Sequence, residues 1–574
     1  MHEANSGQRE AELRDAAGLL AANDLDGAER QLRNILEESP DRVEALYLFA
    51  QCARLRARED EYETLLRRVL ALAMHPQASF ELAQRLLSRG ETDAAEEHAR
   101  CAVAFLPRNP LAHRIMGLVF LKSGRAAAAE LHFRKIIGLA GERPRACALL
   151  ADALKLQGKL DESGDWFAKA AALDPDNAEL WIGWCRMAEA HRQLPEAWEK
   201  LEHAQAIAPD SPNVSFARAV LLAREGRKSE AERSLNEGLV RHPENAGLYF
   251  ERGRIRKEMG RYDEAWADFA EGNRASREHE GLTYGKAHVD QLFARLKQCF
   301  TRERLATIPR AGEKPATPQP IFILGFPRSG TTLVEQVFAQ HPLVRAGDEL
   351  EFVAQVAGLA PRWIGSRRSY PECLAELAVG DNLYLTDHLR DAYFDRAAQG
   401  GLLAGTHRFF TDKMPLNELH LGLIAILFPG APLILVRRHP LDVVCSNFAL
   451  HIRHGFNQSF DVSTSARHYA AMEDLVGHYR REIDLNLLDV RYEDIVADPE
   501  REIRRLLAFA GLAFDPRCLS FEESERVPRT ISYAQVGEKL HGRSVFVYRH
   551  FRKHLDAAME ILAPVITRLG YTID

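Results

Sequence analysis

The stretch Gly325-Phe326-Pro327-Arg328-Ser329-Gly330-Thr331-Thr332 gathers two glycines, three hydroxyls and a guanidinium into eight positions. An apolar run, Ile321 to Leu324, precedes it, and Leu333, Val334, Val337 and Phe338 follow at helical spacing. A buried strand, a glycine-bounded loop and a helix in that order make an anion cradle, because loop N–H groups and the helix N-terminus converge on one point. The chemistry this permits is the holding of a phosphate or a like anion during group transfer. The spacing matches the phosphate loop of nucleotide triphosphatases, yet Thr331 stands where those proteins carry lysine, and Arg328 sits inside the loop. A P-loop kinase or nucleotide triphosphatase is the rival reading that this substitution disfavours.

Other chemistry-bearing side chains follow strand-like runs in the same way. Leu433 to Val436 leads into Arg437, Arg438, His439, Pro440, Asp442 and Ser446, and Phe409-Phe410-Thr411 leads into Asp412, Lys413 and Pro415. His341 precedes Gly347, Asp348, Glu349 and Glu351; Leu487 to Val490 leads into Tyr492 and Glu493; Ser532 lies in Arg529-Thr530-Ile531-Ser532-Tyr533. With Pro327-Arg328-Ser329-Gly330-Thr331-Thr332, these segments resemble the sulfotransferases, and within this domain the tyrosylprotein sulfotransferases. The resemblance implies 3′-phosphoadenosine 5′-phosphosulfate as donor co-substrate and no metal. It implies that Arg328, Ser329, Gly330, Thr331 and Thr332 hold the 5′-phosphosulfate, and that Arg438 and Ser446 grip the 3′-phosphate. Tyr492 and Ser532 match positions beside the donor. Lys413, with Arg328, would meet charge developing at the scissile S–O bond, and Glu349 would take the acceptor proton. His341 is the alternative base, although its place just before Pro342 suits packing or capping at a helix end. Glu351 stands where the tyrosylprotein family has arginine, and Val547 where a basic residue is usual. Arg437 is read as a solvated strand-end charge, outside the site.

The elements that must carry these residues are alternating strands and helices, hence an α/β domain with a mostly parallel sheet and the donor across its carboxyl ends. The first half of the chain is different. Gly90, Gly124, Gly158, Gly226 and Gly260 recur every 34 residues, with Arg192 at the one skipped step. Ala95, Ala129, Ser163, Ala197, Ala231 and Ala265 follow at a constant offset, and Pro107, Gly141, Pro175, Pro209 and Pro243 close each unit. Glycine ends the first helix, a small residue lets the second approach, and proline stops it. This pattern resembles tetratricopeptide repeats, and two weaker units precede the clear ones, the first marked by Asn23, Ala28 and Pro40. About seven repeats are expected across residues 10–280, then a helical and proline-rich linker over 281–319, then the sulfotransferase domain over 320–574. The two modules together resemble the tetratricopeptide-repeat sulfotransferases of bacteria. The fold class is therefore α + α/β: an α-solenoid followed by a P-loop-like domain.

Composition adds exclusions. With 46% hydrophobic and 27% charged residues the chain has a globular balance, and a net charge of −7 gives no footprint for nucleic acid. No run of apolar residues is long enough to suggest a membrane span. The polar N-terminus and eight scattered cysteines point to reduced thiols and a cytoplasmic protein. The expected activity is sulfuryl transfer to a hydroxyl, with a protein tyrosine as first choice and a saccharide or small molecule as alternative. A catalytically inactive repeat adaptor is the rival outside enzymes. The concave face of the array suits an acceptor protein or peptide, or a second copy of the chain in a homodimer.

Overall fold

The computed structural model describes residues 2–573 apart from 90, 124, 281–283, 315–316, 380–383, 452–456 and 522–543. The chain divides into two compact units, Met1–Ala153 and Leu154–Asp574, so the division falls inside the repeats. Helices pair in succession from His2–Ala21 with Leu25–Glu38 to Ala246–Glu258 with Tyr262–Glu280. Among the described residues that makes eight pairs, one more than the sequence pattern gave. The weakness of the early units in the sequence has a physical cause. Gly158, Gly226 and Gly260 take the left-handed turn at φ of 74°, 79° and 77°, but Asn23, Ala57 and Arg192 take the same turn at 61°, 55° and 60° without glycine. The second pair also carries Tyr62 where other pairs bury Ala28, Ala95, Ala129, Ser163, Ala197, Ala231 or Ala265 at 0% exposure.

The stretch expected as a linker is packed. It forms helices Lys286–Cys299 and Arg302–Thr307, buries Phe293, Leu296, Phe300, Leu305 and Ile308, and ties Arg295 to Glu372. The hydrophobic face of the last repeat runs into the same core: Phe250 and Phe269 belong to one cluster with Phe300, Phe322, Leu435 and Tyr469.

Five strands follow: β1 (Gln319–Leu324), β2 (Val344–Arg345), β3 (Phe409–Lys413), β4 (Leu433–Arg437) and β5 (Leu487–Arg491). They form one sheet in the order β2-β3-β1-β4-β5, and every pairing is parallel. Apolar residues line both faces, as a parallel sheet covered by helices requires. Phe322, Leu324, Phe410 and Leu435 face the larger core. Ile321, Ile323, Ile434 and Val436 face a second core with Val334, Val337 and Phe338 of helix Thr331–Ala339 and Ile503 and Leu506 of helix Pro499–Phe509. The register sets Ile323 of β1 beside Lys413 of β3 and Ile434 of β4, so the carboxyl ends of the three central strands lie together.

The eight cysteines are free, seven of them buried and Cys101 partly so. Among the described residues no helix is long and apolar enough to cross a membrane, and no cluster of metal-ligating side chains occurs.

Candidate active site

The phosphate loop leaves β1 through a backbone that only glycine accommodates at one end. Gly325 has φ of 143°, and a Cβ there would lie 2.2 Å from the Val436 carbonyl oxygen of β4. Arg328 is itself left-handed at φ 75°, a conformation that costs a non-glycine residue about 1–3 kcal/mol and collects at ligand sites. Gly330, at φ 108°, caps helix Thr331–Ala339 with no side-chain hydrogen bond. Ser329, Thr331 and Thr332 are all buried here, and the Ser329 hydroxyl has no hydrogen-bond partner.

The loop is pinned from β4 and the helix Pro440–Phe448 behind it. Asn447 donates its amide to the Pro327 carbonyl at 2.9 Å, and Arg438 Nη1 donates to the Arg328 carbonyl at 3.3 Å. Arg328 Nε donates to Ser446 Oγ at 2.9 Å, so the two anion-binding segments read from the sequence meet directly. Arg438 is 8% exposed. It faces Asp442 at 3.3 Å, donates to the Ser544 carbonyl and lies 5.2 Å from the Tyr492 ring centre, while its Nε has no partner. Tyr492 also closes on the loop: a Cβ on Gly330 would lie 2.7 Å from its ring. Burial, with the Arg438 guanidinium next in weight, draws Arg328 down to about 10. Positive charge is thus held together at this strand end against its own repulsion.

A second group gathers at β2 and β3. Lys413 Nζ donates to Glu349 Oε1 at 2.7 Å, with the lysine side chain 0% exposed and the glutamate 41% exposed. The loop bearing Glu349 is held by a residue the motif reading passed over. Glu335, 0% exposed on the phosphate-loop helix, accepts from Thr411 Oγ1 at 2.7 Å and from the Asp348 N–H at 2.9 Å. Its only sequence signal is a charge inside the apolar face Leu333-Val334-Glu335-Gln336-Val337-Phe338. Lys413 N–H donates to the Asp348 carbonyl at 3.1 Å, and Asp348 is left-handed at φ 65°. Behind Lys413, buried Asp412 accepts from Tyr393 at 2.7 Å and Asn417 at 3.0 Å. Burial pushes its carboxyl up to about 7.

The remaining candidates separate. His341 is committed to backbone: Nδ1 accepts from Leu343 N–H at 3.2 Å, and Nε2 lies 3.1 Å from the Ala513 carbonyl. Arg437 is not free in solvent but partly buried and paired with Glu473, at 2.9 Å, and with Asp489. Both carboxylates come from elements whose pairing with β4 was not visible locally. Val547 is 9% exposed in the core, and the next residue, Tyr548, donates its N–H to Asp442 at 2.8 Å. Ser532 lies outside the described residues.

An all-parallel sheet with a glycine-bounded loop at its centre and cations gathered at its carboxyl ends defines the class of this half of the chain as an α/β domain. Residues 320–516 match the model of the sulfotransferase family, and residues 80–144, 116–178 and 216–277 match the tetratricopeptide repeat. Over 280 residues the chain is 31% identical to an uncharacterized protein of Aquifex aeolicus (strain VF5), covering 47% of this chain and 35% of that one. The match therefore spans about a third of that relative's length. It is also similar to protein-tyrosine sulfotransferase A of Caenorhabditis elegans, at 24% identity over 44% of this chain and 67% of that one. Protein-tyrosine sulfotransferase 1 of Danio rerio matches at 27% identity over 44% of this chain and 72% of its own.

Proposed function

We propose that this protein transfers the sulfuryl group of 3′-phosphoadenosine 5′-phosphosulfate to an acceptor hydroxyl, and that the acceptor is a protein tyrosine. The observation that carries the reading is the pair of joined anion-binding segments with unspent donors. Ser329 Oγ and Arg438 Nε are both buried without partners, on segments linked by the contact between Arg328 and Ser446. A buried donor without a partner costs about 1–3 kcal/mol, and an anionic ligand with groups at both ends relieves both. In this assignment Arg328 to Thr332 hold the 5′-phosphosulfate, Arg438 and Ser446 the 3′-phosphate, and Tyr492 the adjoining nucleotide. The tyrosine acceptor draws support from the protein-tyrosine sulfotransferases among the relatives.

The chemistry follows from the strand ends. The acceptor oxygen attacks sulfur in line as the bond from sulfur to the bridging phosphate oxygen breaks, and 3′,5′-adenosine bisphosphate leaves. Glu349, two-fifths exposed, receives the acceptor proton during attack. Lys413 and Arg328 meet the negative charge that grows on the bridging oxygen, an interaction stronger in the transition state than before it.

The test is transfer of radiolabelled sulfate to a panel of tyrosine peptides and saccharides, with wild type beside Glu349→Gln, which keeps an oxygen facing Lys413. Label on tyrosine that vanishes in the variant is the expected result. Label on a saccharide alone retains the sulfotransferase and removes the tyrosine acceptor. Magnesium-dependent ATP turnover without donor binding would replace the reading with that of a P-loop triphosphatase.

A further inference from the structure

The first helix of the last repeat, Ala246–Glu258, carries four basic residues in its second half. Three of them face carboxylates: Arg252 meets Asp268 at 2.6 Å, Arg256 meets Glu232 at 2.8 Å, and Arg254 meets Glu251 and Glu258. Lys257 does not. Its side chain makes no hydrogen bond and closes no ion pair among the described residues, and its ammonium lies instead within electrostatic reach of Arg438, Arg328, Cys445 and Asp442.

The placement is rigid. Phe250 of the same helix stacks on His451 at 5.2 Å. On the following helix, Trp266 stacks on Phe448 at 4.7 Å, and Asn273 donates to the Phe448 carbonyl at 2.8 Å. These contacts grip the far end of helix Pro440–Phe448, which carries Asp442, Cys445 and Ser446 and begins directly after Arg438 and His439. Burial, followed by the Arg438 and Arg328 guanidiniums, holds the Lys257 ammonium below its usual range. An unpaired cation pressed towards two arginines is unfavourable until an anion arrives. Val547 is buried among apolar neighbours, beside the residue whose N–H binds Asp442, so this part of the C-terminal segment brings no cation to Arg438.

We propose that Lys257, supplied by the last repeat, is a donor-binding residue that completes the cationic pocket for the 3′-phosphate. The proposal rests on the donor assignment made above. It makes the last repeat part of the nucleotide site rather than only a platform for a partner.

The experiment is equilibrium binding of adenosine 3′,5′-bisphosphate and of adenosine 5′-monophosphate to the full chain, which differ only in the 3′-phosphate. Wild type is compared with Lys257→Met, Lys257→Arg and Arg438→Ala. A charge-assisted contact is worth about tenfold or more in affinity. Lys257→Met is expected to weaken the bisphosphate about tenfold or more and to leave the monophosphate within about twofold; Lys257→Arg should keep most of the preference. The melting temperature of ligand-free Lys257→Met should equal or exceed that of wild type, since a like charge has been removed; a merely structural lysine would give a fall. If Arg438→Ala loses the preference while Lys257→Met retains it, or if Lys257→Met weakens both ligands alike, the role of Lys257 is overturned and the donor assignment stands. If wild type itself shows no preference for the bisphosphate, the donor assignment falls, and this inference with it.

Discussion

Removing Glu349 should destabilise the protein more than removing Lys413, although Lys413 is the buried member of the pair. Lys413 is 0% exposed and Glu349 41% exposed, and at 2.7 Å the carboxylate is the only hydrogen-bond partner of the ammonium among the described residues. Lys413→Met takes away the charge and leaves a glutamate that water can reach. A half-exposed ion pair contributes about 1 kcal/mol or less, and the methionine side chain fills the same space. Glu349→Ala does the reverse: it strands an ammonium inside the fold. Breaking a buried pair from one side costs about 3–5 kcal/mol. The gap left by a partly exposed glutamate admits water, which brings the expectation to about 2–3 kcal/mol. For a domain of this size about 1 kcal/mol corresponds to about 2–4 °C. Calorimetry on the full chain should therefore show a fall of about 4–12 °C for Glu349→Ala and under about 4 °C for Lys413→Met. The double variant, with no stranded charge, should recover most of the loss. If Lys413→Met is as costly as Glu349→Ala, or the double variant is no better than Glu349→Ala, the pair is not organised as described.

Asp412 gives a pH dependence of stability with a definite sign. Its folded carboxyl titrates at about 7 against about 3.9 in an unfolded chain. Between these values the folded state holds a proton that the unfolded state has lost. Stability from this group therefore falls as pH rises from about 4 to about 7, by up to about 1.4 kcal/mol per unit. Asp412→Asn should flatten that slope in urea melts at pH 5 and pH 7; an unchanged slope would show that Asp412 is ionised throughout. Exposed Arg192, left-handed at φ 60° where the repeat calls for glycine, should also respond to substitution. Arg192→Gly is expected to gain about 0.5–1 kcal/mol and raise the melting temperature. A fall would mean that its side chain carries a contact worth more than the strain.

Periodic features were legible and paired ones were not. The strands β1, β3, β4 and β5 follow from short apolar runs, and the phosphate loop from its glycines, because each is a local pattern with a local cause. The repeat with Ala57 and Tyr62 was legible only as a weak unit, because its turn is left-handed without glycine and its tight position holds a ring. Strand order could not be read, since nothing in Leu433 to Arg437 states that β4 lies beside β1. Arg437 was misread for that reason: a charge at a strand end is solvated unless a neighbouring strand and helix bring Asp489 and Glu473 to it. Glu335 shows the same limit from the other side, as a single charge in an apolar helix whose partner, the loop at Asp348, is defined only by the fold.

The repeat array and the family domain look separable in sequence because their periods differ and proline-rich chain lies between them. Their side chains argue otherwise. Phe250, Phe269, Phe293 and Phe300 share one core with Leu324, Phe448 and Phe551, so the last repeat has no independent hydrophobic face of its own. Such a shared core fixes the helix carrying Lys257 as firmly as any helix of the sheet domain, since well-packed interiors transmit position rather than absorb it. A repeat that ended in solvent could offer only a mobile lysine, whose ordering would offset much of what a phosphate contact contributes. Packed here, its conformational cost is met on folding, and the contacts that join the last repeat to the sheet domain are those on which the proposed phosphate contact depends.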